Sequence, residues 1–290
     1  MHTTRRRVQG AIVGGKYILS GLLPGSSDAV FRANEFGSGR SVVLKELTVD
    51  PELPEEELPR RNRLLRESVL LLKNAVHPLL ATVYDYVDEG ERVYVAMEWI
   101  PGTTLAQAVL MSPVRPSRER ALRWGLSICD CLHHLQDRPR PFLSPALNPD
   151  HVMVTETGEA RLINFGLGRI FRLKEPGLFT DESALLVDEF HRYGDLLTFT
   201  LFGRSITAAE LEQSELPPRL TELLGTLLRR RTGDRPPTFQ EFHRCLREAL
   251  QSPTDAPSRQ TVWSRLRGAL RSPMKWCRDQ GWCWPRRFSS

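Results

Sequence analysis

The chain has 290 residues, of which 40% are hydrophobic and 26% charged, a composition typical of a globular protein with a buried core. No stretch approaches the roughly 18–20 consecutive apolar residues that are needed to cross a bilayer. The basic start, MHTTRRRVQG, is followed by no apolar segment of the kind that a signal peptide carries. These features argue against a secreted or membrane-spanning protein and predict a cytoplasmic one.

The five cysteines and the uneven charge narrow the class further. The cysteine count is odd and no CxxC pair occurs, so the sequence predicts neither a disulfide framework nor a metal site. Residues 251–290 hold eight Arg or Lys against two Asp, a net charge of +6, whereas the whole chain carries a net charge of +5. The first 250 residues are thus close to neutral, which argues against nucleic acid as the partner of the globular part.

The first hundred residues alternate between apolar and polar side chains in the way that strands do. One helical pattern, with apolar residues at three- and four-residue spacing, interrupts them after a charged connector that contains prolines. We predict five strands and one helix there. The first strand begins near Tyr17, and the other four lie at Asp28–Arg32, Ser41–Leu47, Ala81–Val87 and Arg92–Trp99. The helix covers Asn62–Ala75.

The pattern changes after IPGTT (100–104), because helical periodicity now dominates. The sequence predicts an α+β protein of two layers, with a small antiparallel lobe before a larger, mainly helical one. The predicted helices are Arg118–Gln136, Leu185–Phe202, Ala208–Gln213, Pro218–Arg229 and Phe239–Leu250, and short strands lie at His151–Thr155 and Ala160–Asn164. We divide the chain into a basic arm (1–16), the small lobe (17–100), the large lobe (101–250) and a tail (251–290).

Five segments, in order and at consistent spacing, resemble the protein kinase superfamily in its bacterial Ser/Thr form. They are VVLKEL (42–47), the run from Asn74 to Leu105, RWGLSICDCLHHL (123–135), LINFGLGR (162–169) and GDRPPTFQEF (233–242). The resemblance implies a bilobal fold with a nucleotide site between the lobes. Each motif alone is a weak match, but five in the family's order are specific.

The resemblance assigns nucleotide-binding roles in the small lobe and the hinge. Lys45 matches the lysine that contacts the α- and β-phosphates, and Glu67 is the candidate for its helix partner, although that helix is one residue out of the usual register. Other residues would surround the adenine: Val30 and Val43 above it, Met153 below it, and Met97, Glu98 and Ile100 at the hinge.

The glycine-rich loop of the family is damaged. Its three glycine positions, which let backbone N–H groups approach phosphates, hold Leu23, Gly25 and Asp28. Only Gly25 is retained, and Asp28 adds a negative charge beside the phosphate position. We therefore expect phosphate binding to be poor.

The positions that carry phosphoryl transfer are also changed. In the family HRDLKPxN supplies the proton acceptor and a metal ligand, and DFG supplies a second metal ligand. The matching segments here are SPALNPDH (144–151) and Asn164-Phe165-Gly166, which place Ala146 at the proton acceptor, Asn148 at the lysine, His151 at the asparagine and Asn164 at the DFG aspartate. Ala146 cannot accept a proton, Asn164 is neutral, and imidazole is a poor ligand for Mg²⁺.

Nothing nearby restores these functions. Phe165 and Gly194 are only 29 residues apart, and no GTxxYxxPE or APE motif lies between them; Arg235, which would anchor the missing glutamate, is present. The carboxylates of Asp150, Glu156 and Glu159 are interpreted as parts of a solvated turn, with Asp150 facing away from the nucleotide.

The tail combines basic residues with tryptophans. After a linker at 251–258, Val262, Leu266, Ala269 and Leu270 share one helical face, and four of the six tryptophans are Trp263, Trp276, Trp282 and Trp284. Such a segment is typical of an interfacial membrane helix or of a peptide that docks on a protein. Packing of the tail on the large lobe is the alternative.

The sequence as a whole predicts a catalytically deficient kinase-like domain, a pseudokinase, that acts as a scaffold or allosteric regulator in signalling. Its partner would be a protein, with an active kinase as one candidate, and ATP would bind weakly and without Mg²⁺ if it binds at all. Two alternatives stay open: an atypical ATP-dependent Ser/Thr protein kinase with residual activity, and an adaptor that reaches an anionic membrane surface through the tail.

Overall fold

An antiparallel sheet of six strands forms the first part of the chain. Its spatial order is β1-β2-β3-β4-β6-β5. The computed structural model describes residues 9–23, 29–47, 54–90, 92–112, 115–136, 147–163, 182–229 and 238–251, without the side chains of 182–186, 188 and 229. The strands are β1 (Ile12–Val13), β2 (Tyr17–Leu23), β3 (Val30–Glu35), β4 (Ser41–Leu47), β5 (Val83–Asp88) and β6 (Val93–Glu98).

Strand β1 is an addition to the five strands that the sequence predicts. It lies in the segment assigned to the basic arm, and it pairs with β2 through Ile12↔Ile18 and Val13↔Tyr17. Val13 and Tyr17 are fully buried, so the two-residue strand completes the core of the small lobe. The arm as predicted therefore extends too far, because residues 12–13 belong to the sheet.

Both faces of the sheet are covered. One face encloses a cluster that includes Tyr17, Phe31, Leu44 and Tyr94, and the other contributes Leu47, Val93 and Val95 to a larger cluster that continues into the large lobe. Strand β4 is accordingly buried along most of its length, since alternate residues of a strand point to opposite faces. The larger cluster holds the two lobes together.

Helix α1 (Leu58–Lys73) begins four residues earlier than the sequence predicts and ends two residues earlier. The prolines of the connector do not delay it, because a proline at the first helical positions lacks only an N–H that would be unpaired there anyway. The helix buries Arg61, Leu65, Val69 and Leu72 on one face. That face packs on the sheet beside β5.

The second part of the chain is mainly helical, as predicted, and its helix bounds agree with the sequence pattern to within a few residues. It contains α2 (Leu105–Leu110), α3 (Arg118–Gln136), α4 (Glu182–Phe202), α5 (Ala208–Glu212), α6 (Pro218–Arg229) and α7 (Phe239–Gln251). A second small sheet has the order β7-β8-β9, formed by Thr103–Thr104, Val152–Val154 and Ala160–Leu162. None of the helices in the described ranges is both long and apolar enough to span a membrane.

The two lobes are joined by backbone hydrogen bonds as well as by apolar contacts. Ala81 N donates to Leu162 O at 2.9 Å, and Leu162 N donates to Leu79 O. The segment that follows α1 is thereby fixed to β9 of the large lobe. The end of β6 and the β8–β9 hairpin therefore meet at the junction of the two lobes, where the sequence predicts the nucleotide cleft.

Candidate functional site

Lys45 lies on the face of the sheet that is turned toward the cleft. Its neighbours on that face of β4, Val43 and Leu47, both pack into the cluster shared by the two lobes. Its cross-strand partners are Val30 on β3 and Val95 on β6. Only 8% of Lys45 is exposed. An amine this buried would be costly without a partner, and Lys45 does make a polar or charged interaction.

The apolar residues predicted to surround an adenine come from both lobes. Val43 from β4 and Met153 from β8 are half-buried and pack against the shared cluster. Met97 is the cross-strand partner of Val43 and is almost fully buried, as is Ile100 just beyond β6. The structure thus brings these four side chains to the junction of the lobes, where the sequence predicts the site of the adenine.

The hinge is held by a charged contact that the sequence does not reveal. The Glu98 carboxylate accepts a hydrogen bond from Arg161 Nη2 at 2.8 Å and bonds from the backbone N and Oγ1 of Thr82 at 3.0 and 3.1 Å. Arg161 also donates to Leu80 O at 3.0 Å. Because Arg161 is on β9, this pair ties the end of β6 directly to the large lobe. Glu98 and Arg161 are 63 residues apart in the sequence.

The predicted pairing of Lys45 with Glu67 is wrong. Glu67 is exposed, and about 200° of helical rotation separates it from both Leu65 and Val69 on the buried face of α1. Among the described residues, its carboxylate forms no ion pair. The one-residue offset of this helix is the cause, since each residue turns the side chain by about 100°.

Asn148 has a structural role in the turn that precedes β8. Its Oδ1 accepts hydrogen bonds from the backbone N of Asp150 at 2.8 Å and of His151 at 3.0 Å. It thereby caps the short 3₁₀ turn Pro149–His151, as asparagine commonly does before a helical turn. The side chain that stands at the family's lysine position is directed into its own turn.

His151 follows in the same turn and is half-buried. Its Nε2 lies 3.5 Å from Asn148 Nδ2, and its backbone carbonyl accepts a hydrogen bond from Ile163 N at 3.0 Å. The backbone of His151 is thus hydrogen-bonded to Ile163, the residue that precedes Asn164 in the chain. An imidazole nitrogen suits Zn²⁺ or Cu²⁺ better than Mg²⁺.

Asp150 is not part of a solvated turn, contrary to the sequence interpretation. It is half-buried, and the Thr104 hydroxyl donates to its Oδ1 at 3.3 Å. Burial raises the pKa of the Asp150 carboxyl above its ordinary value, and the Thr104 hydrogen bond offsets part of that effect. Glu156 and Glu159 are exposed, as predicted. Asp150 thus connects the turn to the start of α2.

The raised pKa of Asp150 predicts how the stability of the protein changes with pH. When folding raises the pKa of a carboxyl, its protonated form favours the folded state. This contribution to stability is fully present below the unfolded-state pKa. It is lost as the pH rises through the folded-state pKa. Asp150→Asn should therefore raise the melting temperature at pH 7, by on the order of 2 °C, and the gain should vanish near pH 3.5. Thermal unfolding at both pH values measures this, with Glu159→Gln as an exposed control in the same hairpin. A variant less stable than the original at pH 7 would contradict the assignment.

Several predicted site residues lie outside the described residues. They are Gly25 and Asp28 of the glycine-loop segment, Ala146, Asn164 and Arg235. Their assignments rest on the sequence alone. The tail, residues 252–290, also lies outside the described part of the chain.

Comparison with known proteins places this geometry in a family. The sequence profile described as "protein kinase domain" matches residues 21–186, more than half of the chain. The chain belongs to the protein kinase family. A probable serine/threonine-protein kinase of Streptomyces coelicolor is 26% identical over 176 residues, which cover 60% of this chain and 25% of that protein. Serine/threonine-protein kinase C of Synechocystis is 33% identical over 136 residues, covering 45% and 24%. The matches thus span about a quarter of the length of these relatives.

Solved structures show the same fold. A double mutant of the PknI kinase domain of Mycobacterium tuberculosis superposes with a TM-score of 0.62 at 16% identity, covering 84% of this chain and 99% of that one. An apo pseudokinase superposes with a TM-score of 0.58, also at 16% identity, covering 80% and 91%. The kinase-like bilobal α+β architecture predicted from the sequence is confirmed.

The kinase fold implies ATP and Mg²⁺, and the described residues fit these two groups differently. Val43, Met97, Ile100 and Met153 offer an apolar environment that suits an adenine ring. Mg²⁺ requires oxygen ligands in octahedral geometry, but Asn148 Oδ1 is occupied by two backbone amides, the Asp150 carboxylate accepts a hydrogen bond from Thr104, and the metal-ligand position itself holds the imidazole of His151. Within the described ranges, no group of three or more His, Cys, Asp or Glu is placed to hold a metal ion. The described part of the loop does not fit Mg²⁺.

Proposed function

We propose that this chain is a catalytically deficient kinase domain that acts by binding a protein partner. The observation that carries the proposal is the set of hydrogen bonds that the side chains of the loop before β8 form. Asn148 caps its own turn, Asp150 hydrogen-bonds to Thr104, and His151 occupies the metal-ligand position. The described polar side chains of this loop thus form hydrogen bonds within the local fold, and none of them stands at the family's positions for the proton acceptor or the anionic metal ligand.

The sequence supports the same conclusion at the two remaining positions. Ala146 stands for the proton acceptor, whose general-base contribution is worth roughly 10²–10⁴ in rate. Asn164 stands for the anionic metal ligand. Glu67, the expected partner of Lys45, is exposed. With the imidazole at position 151, four elements of the catalytic arrangement are changed: the proton acceptor, the two metal ligands and the partner of Lys45.

The exposed apolar residues near the end of α1 support a role in protein binding. Leu70 is 52% exposed, Leu71 37% and Val76 80%. Three exposed apolar side chains within seven residues are candidates for contact with a partner. We infer that a protein, with an active kinase as one candidate, is regulated or positioned through the folded domain rather than phosphorylated by it.

Residual kinase activity is the second candidate function. Buried Lys45 on β4 favours it, since this is the position from which the family's lysine contacts phosphates. The matched relatives are named serine/threonine-protein kinases. If such activity exists, it has to proceed with the altered residues at 146, 151 and 164.

Thermal unfolding with and without ATP, each with and without Mg²⁺, tests the proposal. We expect ATP to raise the melting temperature little or not at all, and Mg²⁺ to leave that result unchanged, because the described loop lacks a fitting metal ligand. A ligand present at about 100 times its Kd would stabilise the folded state by about 2.7 kcal/mol, which is easily detected. A large stabilisation that requires Mg²⁺ would contradict the proposal.

A further inference from the structure

A groove outside the nucleotide cleft lies along the N-terminal half of α3. Its volume is about 590 Å³, within the range of about 300–1,000 Å³ that is typical of ligand-binding clefts. None of the residues assigned to the nucleotide lines it. Its lining comes mainly from α3, the β8–β9 turn, the segment after α1 and the end of α7, and it includes Leu79, Trp124, Leu126, Ser127, Gly158 and Leu250.

Part of the lining of the groove is apolar. Trp124 is 4% exposed, and its indole Nε1 donates to Gly158 O at 2.7 Å, which fixes α3 to the β8–β9 turn. Leu126 and Leu250 are half-buried beside it and pack against the shared core. These apolar side chains can contact an apolar or aromatic part of an occupant.

The charged residues of the groove lie at its rim and carry no net charge. Glu119 is paired with Arg123, whose Nη2 is 2.7 Å from Glu119 Oε1. Arg120 and Glu159 are exposed. Such a rim can pair with either charge, and exposed arginines can stack on aromatic rings. The groove is therefore not suited to attract a strongly charged ligand. It is suited to contact a segment that carries both aromatic and basic side chains.

We propose that the chain's own tail segment Val262–Leu270 occupies this groove, with the Trp263 indole against the apolar part of its lining. Leu250 lines the groove and Gln251 ends α7, so the tail leaves the folded domain at the groove itself. Trp263 follows Gln251 by twelve residues, which can extend to about 40 Å. The spacing of Val262, Leu266, Ala269 and Leu270 in the sequence would place these apolar side chains on one face of a helix.

The short connection makes even a weak contact effective. A segment tethered by a short flexible linker is present at an effective concentration on the order of 1 mM at its own docking site. A contact with a Kd of about 1 mM would thus be about half occupied, and a tighter one largely occupied. This inference concerns a surface separate from the cleft and stands whether or not the domain transfers phosphate.

Hydrogen exchange of the full-length protein, followed by mass spectrometry, tests the proposal. We expect the amides of 260–272 to exchange at least about threefold more slowly than those of 280–290 after correction for intrinsic rates. Ser127→Arg places a long side chain in the groove and should abolish this difference, as should Trp263→Ala. Ala209→Arg on the exposed face of α5 and Trp284→Ala are the matched controls and should retain it. Slow exchange of 41–47 and 93–98 shows that each variant is folded.

Two results would overturn the proposal. In one, 260–272 exchange as fast as 280–290 in the original protein, and become protected only when phosphatidylserine vesicles are added; the tail then serves a membrane surface. In the other, protection is present but survives both Ser127→Arg and Trp263→Ala; the segment then docks elsewhere.

Discussion

A variant with Asn164→Asp and His151→Asn is expected to bind ATP at least about tenfold more tightly with Mg²⁺ than without it, whereas the original chain shows no such dependence. The aspartate restores an anionic oxygen, and the asparagine replaces an imidazole with an amide oxygen, which is the ligand type that Mg²⁺ prefers. Two unit charges 4 Å apart attract by about 4 kcal/mol at an effective dielectric constant of 20, while a tenfold change requires only 1.4 kcal/mol.

Titration calorimetry with and without Mg²⁺ measures this effect. His151→Asn alone is the matched control, because it changes the ligand type without adding charge, and it should gain little. If the double variant shows no dependence on Mg²⁺, the assignment of Asn164 to the metal position is wrong. If the original chain already requires Mg²⁺, its loop is not deficient in the way proposed.

Gly102→Ala is expected to lower the free energy of unfolding by about 3–5 kcal/mol. Gly102 has a φ of +149°, and a Cβ at this position would overlap the backbone carbonyl of Val154. Strained backbone costs about 1–3 kcal/mol, and a clash with backbone atoms adds a comparable amount. The glycine lies between the hinge and β7, so its replacement disturbs the pairing of β7 with β8.

Denaturant unfolding compares this variant with Gly90→Ala. Gly90 has a φ of +78°, but no atom lies within 4 Å of a Cβ built there. The control therefore carries only the backbone strain, about 1–2 kcal/mol. Equal losses of stability in the two variants would show that the close approach of Gly102 to β8 is not what the fold requires.

The elements that the sequence predicts well are those set by local pattern. Helix α3 has the predicted bounds, Arg118–Gln136, because its apolar periodicity is uninterrupted. The start of α1 was missed because prolines are compatible with a first helical turn. Strand β1 was missed because two residues carry no periodicity.

The sequence predicts only those features of the site that depend on the identity of a single residue. The motif assigns an imidazole to position 151 and a phosphate-binding role to Lys45, whereas the burial of Lys45 is known only from the structure. The orientation of Glu67 does not follow from the motif, since an offset of one residue rotates a helical side chain to another face. The contacts of Glu98 with Arg161 and of Asp150 with Thr104 join residues 63 and 46 positions apart, and such pairings are set by the fold rather than by local sequence.

Incubation of the purified protein with labelled ATP, with Mg²⁺ or with Mn²⁺, tests the central claim most directly. Lys45→Met serves as the reference, because it removes the residue that the resemblance assigns to the α- and β-phosphates. We expect label incorporation into the chain itself and into a generic protein substrate to be the same for both proteins, at the level without enzyme. Incorporation by the original chain that disappears in Lys45→Met would contradict the claim that this kinase domain is catalytically deficient.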